Sequence, residues 1–156
     1  MAFNAAFTTL YVGWHAYKHF LHEKIELRHV VDWALSLRQL TDAEAAKVNG
    51  VKGTATWSRF ADTLSAIALH RLGLPTEWFP PKEVERAETV ATEEEQRVWN
   101  DIIGGRHTHH GRNKGHCRLI IARRLMQNQW KFREFADESA GRFLWREFAG
   151  YITAKH

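Results

Sequence analysis

A single cysteine, Cys117, stands in 156 residues, so no disulfide within the chain can staple this fold. The three prolines all fall between Pro75 and Pro81, leaving the rest of the chain without a proline to break a helix. No apolar run approaches bilayer-spanning length, and no basic-then-apolar leader opens the chain. A disulfide scaffold and a membrane-spanning protein are thereby excluded, and a cytoplasmic location is the expectation. Strand signals are scarce as well. β-Branched residues do not alternate with polar ones, and Asn49-Gly50 lies in a polar stretch rather than between two strand-like runs. The formal charge of +4 is too modest for this length to demand nucleic acid by itself.

What is present is aromatic and helical. Seven Trp and nine Phe supply ample material for one core, and the length suits one domain over 1–156. The expected fold is mostly α, a single-domain bundle of about six helices, near 3–22, 26–39, 56–73, 92–103, 117–135 and 138–153. Phe3, Phe7, Leu10, Trp14, Tyr17 and Leu21 recur at alternating steps of four and three, a stripe that should face the core. Leu27, Val30, Val31, Ala34 and Leu35 should do the same for the second helix. Trp57, Phe60, Ala61, Leu64, Ala68 and Leu72 repeat the pattern, with Gly73 as the stop. Thr41 with Glu44, and Thr92 with Glu95, read as capping boxes, and Asp137 as a cap for the last helix. Residues 49–56 and 75–91 read as linkers.

The polar residues of the first two helices are unusual for a solvent face. His15, Lys18, His19 and His22 fall roughly 110° from the apolar stripe, at about 100° per residue. On the next helix Arg28 and Asp32 sit at i and i+4, where they can pair. Singly, each has an ordinary reading: histidines at the rim of a core, and a structural ion pair. Together they make a surface suited to a ligand or a second domain.

Phe3, Asn4, Phe7, His15, Lys18, His19, Phe20, Glu23, Ile25, Leu27, Arg28, Asp32 and Trp33 together resemble the helical region that follows the catalytic domain in a family of polymerase-β-like nucleotidyltransferases. Leu72-Gly73-Leu74-Pro75, Pro80-Pro81 and Asp101-Ile102-Ile103-Gly104-Gly105 extend the similarity, which covers about 3–105. The resemblance implies transfer of a nucleoside monophosphate from a triphosphate, aided by magnesium. It implies that His15, Lys18, His19, Arg28 and Asp32 bind nucleotide or acceptor beside that chemistry.

The metal-binding half of such enzymes is absent. There is no Gly-Ser followed by a strand-borne Asp-x-Asp. The only comparable triplet, Asp42-Ala43-Glu44, follows Thr41 as a helix start. No catalytic residue and no cofactor are therefore expected in this chain. Magnesium and a nucleoside triphosphate belong to the catalytic domain, which is the implied partner in the same or a separate polypeptide. Residue 1 reads either as a boundary within a longer protein or as the start of a free-standing relative.

Beyond residue 105 the chain turns basic. No acidic residue lies between Asp101 and Glu134, and Arg106, Arg112, Lys114, Arg118, Arg123 and Arg124 lie in that interval. They are candidate anion or phosphate ligands. The ordinary reading is a solvated basic face opposite Glu93-Glu94-Glu95. The alternative to the nucleotidyltransferase reading is a non-catalytic basic module that holds RNA or an acidic partner, although no nucleic-acid fingerprint accompanies it. His107, His109, His110, His116 and Cys117 offer zinc-type ligands, but their spacing fits no structural zinc motif and cations surround them. No metal is expected in this chain.

Overall fold

The computed structural model describes residues 4–53, 55–104, 126–136 and 141–142. Seven α-helices and no strand occur among them, so the mostly α expectation holds. They are α1 (Ala5–His22), α2 (Leu27–Arg38), α3 (Asp42–Lys52), α4 (Ser58–His70), α5 (Pro81–Glu88), α6 (Thr92–Ile103) and α7 (Gln129–Phe135). A 3₁₀ turn at Thr76–Trp78 precedes α5. Of the expected helix at 117–135, residues 117–125 lie outside the described residues, while 129–135 form α7; the helix expected at 138–153, with Asp137, lies mostly outside them. Gly141 and Arg142 of the latter are described and helical.

α4 is the hub. It packs on α2, α5 and α6, while α1 packs on α2 and α3. Its sequence explains the position: Phe60, Ala61, Leu64, Ile67 and Ala68 are buried, and so are Thr63, Ser65 and Ala66 between them. A helix apolar nearly all round belongs inside. Gly73 at φ 63° ends the run, in the left-handed region that glycine enters without steric cost.

The apolar stripe of α1 is rotated from its expected place. The buried face is Ala6, Thr9, Gly13, Ala16, Tyr17, Phe20 and Leu21. Phe7, Tyr11 and Trp14 point outward, at 60%, 57% and 43% exposure. The reason is close approach. A Cβ on Gly13 would lie 2.8 Å from both Trp33 Cζ3 and Trp57 Cζ3. Small residues let α1 meet the two indoles, and the larger aromatics are turned away. On α2, Val30 and Ala34 are buried as expected and Trp33 and Leu37 join them, but Leu27 and Leu35 are exposed.

Two linker expectations are also corrected. Residues 49–52 complete α3, and α5 lies inside 75–91, with Pro81 at its first position where a missing N–H costs nothing. The Thr41–Glu44 box forms, with the Glu44 carboxylate accepting from the Thr41 N–H at 3.0 Å. The Thr92–Glu95 box does not. Glu95 turns inward to accept from Arg71 Nε at 2.5 Å and to meet His70 Nδ1 at 2.8 Å.

Buried charge ties the helices together. Lys52 is wholly buried, 2.6 Å from Asp62 and 2.5 Å from Glu83, and Glu83 also accepts from Ser65 at 2.6 Å. Ser65 in turn accepts from the Trp33 indole at 2.8 Å. Burial pushes the Asp62 carboxyl above its usual range, against the pull of Lys52. Arg59 binds Glu94 across α4 and α6. On α7, Lys131 reaches Asp101 at 2.6 Å and the Glu23 carbonyl at 3.2 Å. Tyr17 donates to the Phe135 carbonyl at 3.0 Å.

Candidate functional site

The α1–α2 hairpin positions the candidate site. α1 ends at His22, and the Glu23 N–H bonds back to the His19 carbonyl at 2.8 Å. Ile25, almost fully buried, anchors the short connection in the core. Glu26 then caps α2, so that His29 becomes the third residue of the new helix. Its Nδ1 accepts from the Glu26 N–H at 3.0 Å and stands 3.3 Å from the Glu26 carbonyl. These contacts hold the ring against the last turns of α1.

The result is a cluster that the sequence does not announce. One ring nitrogen each from His15, His19 and His29 lies within 4.8 Å of the other two. The His15 and His19 rings meet edge to face at 4.5 Å, and His19 and His29 at 5.5 Å. Tyr11 stacks on His15 at 5.8 Å. Burial is graded: His15 exposed, His19 half-buried, His29 buried. Burial first, and the nearby Arg28 and His19 after it, hold His29 below the ordinary histidine value against its bond to Glu26.

Around the rings stand two carboxylates and two cations. Glu23 lies 3.7 Å from His19 Nδ1. Arg28 Nε lies 3.1 Å from Glu26, and not on Asp32 as its spacing suggested. Side chains of a helix lean toward its N-terminus, so Arg28 reaches back to the cap, and Asp32 stays exposed one turn behind. Lys18 is half-buried, its Nζ 5.6 Å over the Trp14 ring.

Of the residues expected to bind ligand, the fold therefore brings His15, His19, Lys18 and Arg28 to one hairpin and leaves Asp32 at its edge. His29 is the member that sequence reasoning passed over. It fills an unmarked position between Arg28 and Asp32, and only the capping geometry at Glu26 could have drawn it out. The buried Lys52 and Glu83 and the half-buried Asp62 were passed over too; nothing in their spacing signals that three helices bring them together. Arg106, Arg112, Lys114, Arg118, Arg123 and Arg124 lie outside the described residues, as do His107, His109, His110, His116 and Cys117.

No family model, curated protein or solved structure matches this chain. Among the described residues, no helix is long and apolar enough to cross a membrane.

Proposed function

We propose that this chain is the helical, nucleotide- or acceptor-binding portion of a nucleotidyltransferase, not catalytic on its own, with the α1–α2 hairpin as its ligand face. The observation that carries the reading is the convergence on that hairpin of His15, His19 and His29, flanked by Lys18 and Arg28. A phosphate needs point charge and directed donors. Lys18 supplies the first, and the Arg28 fork supplies two parallel N–H bonds. The Arg28–Glu26 pair is exposed, so it contributes at most about 1 kcal/mol and yields readily to a phosphate.

On this reading magnesium and the triphosphate chemistry belong to a catalytic domain, in the same polypeptide or a separate one. The exposed Phe7, Tyr11 and Trp14, beside His15 on α1, give that domain an apolar surface to rest on.

The test is a proton–nitrogen NMR titration with ATP, GTP, CTP and UTP, with and without magnesium. Shifts are expected to gather on His15, Lys18, His19, Arg28 and His29. Shifts confined to 106–124 would overturn the assignment of this face. They would favour a basic module that holds RNA or an acidic partner, a module whose binding weakens steeply with salt.

A further inference from the structure

We infer that His15, His19 and His29 form a three-histidine site for a zinc-type divalent transition metal on the α1–α2 hairpin. Three features carry this. First, His15 and His19 are four apart on one helix, the spacing at which two imidazoles on a helical face share one metal. Second, a third imidazole comes from a different helix, so the ligands surround a point rather than lie along a line. Their ring nitrogens fall within 4.8 Å of one another. Tetrahedral zinc with nitrogen ligands needs about 3.4 Å between them, for Zn–N bonds of about 2.0–2.1 Å. Rotation of the exposed His15 and half-buried His19 can close that gap while His29 stays fixed.

Third, the surroundings of His29 are those of a metal-binding histidine. The Glu26 backbone engages Nδ1, leaving Nε2 as the nitrogen for a ligand. A metal on Nε2 takes the tautomer with its proton on Nδ1, in which the bond from the Glu26 N–H gives way to donation to the Glu26 carbonyl 3.3 Å away. Backbone carbonyls hold metal-bound imidazoles in this way. Glu23 places negative charge 3.7 Å from His19, and Glu26 offsets the charge of Arg28. The gradient from buried His29 to exposed His15 leaves an entry from solvent. Three protein nitrogens leave a fourth position, which Glu23 or an oxygen of an anionic ligand can fill. This departs from the sequence expectation of no metal, which weighed only the histidines at 107–116.

The whole chain, without an affinity tag, is titrated with cobalt(II) and then zinc(II), following the visible d–d bands of cobalt. One equivalent with tetrahedral band intensity is expected. Affinity should fall by more than about tenfold in His15→Ala and His19→Ala. It should persist in a variant with His107, His109, His110 and His116 all changed to Ala. His15 is exposed, so its variant is expected to keep the wild-type thermal midpoint, which separates ligand loss from unfolding. Absence of binding, binding lost with the 107–116 histidines, or binding unchanged in His15→Ala would each overturn the site. No nucleotide is present, so failure here leaves the nucleotide reading standing, and the reverse also holds.

Discussion

Gly13 decides how α1 meets the core, because two tryptophan rings occupy the space its side chain would take. Gly13→Ala offers up to about 1 kcal/mol of helix propensity. Against that stands an overpacking cost of about 1–3 kcal/mol, since both indoles are buried and cannot swing aside. The expected outcome is a lower urea midpoint with unchanged slope. A midpoint at or above wild type would show that Trp33 and Trp57 have room to yield. The same residue explains why the α1 stripe was misread. Counting large apolar residues finds Phe7 and Trp14, whereas the buried face is chosen by close approach and is made of Ala6, Thr9, Gly13 and Ala16. His15 and His19 were legible because four-residue spacing on a helix is visible in the chain. His29 was not, because its partner helix had to be folded against it first.

At the scale of elements, α1, α2, α4 and α6 could be read from periodicity, and α3 from its Thr41 cap alone. Only three residues of α3 are buried, one of them Lys52, so no apolar repeat betrays its length. α5 was hidden by the prolines that in fact start it. The joint between α4 and α6 brings a pH dependence. Bonds to Glu95 first, and then to Glu88, raise His70 above the ordinary histidine value, and the opposing effect of burial is smaller. That stabilisation is complete below about pH 6.5, the unfolded value, and is lost as pH rises through the higher folded value. Burial tends to raise Glu95, but its bonds to His70 and Arg71 outweigh this and leave it lowered. Its contribution is present above the unfolded carboxylate value and is lost as pH falls through the folded one. The joint is thus strongest between these two limits. His70→Gln is expected to destabilise more at about pH 5.5 than at about pH 8.5 in denaturant unfolding. An equal cost at both values would mean that the imidazole is not charged in the native state.

At the scale of the whole molecule, α7 is a late arrival in sequence that closes the structure. Phe132 and Phe135 enter the same apolar cluster as Phe20 and Phe60, and Phe135 meets Phe20 edge to face at 5.2 Å. Asn128 donates to the Glu23 carbonyl at 3.2 Å, beside the bond from Lys131 to the same oxygen. Lys131 also holds Asp101, close to where α6 ends, so the polypeptide leaves α6 and comes back to nearly the place it left. These contacts by themselves dock 128–135 on α1 and on the end of α6. A specific protease sequence inserted within 105–125 and cut should give two fragments that elute as one species in gel filtration and part only in denaturant. A C-terminal fragment that elutes alone would mean the clasp is too weak. If the pair holds, the protein is in effect a complex of two peptides that happen to be synthesised as one, and α7 could be exchanged in the test tube like a ligand.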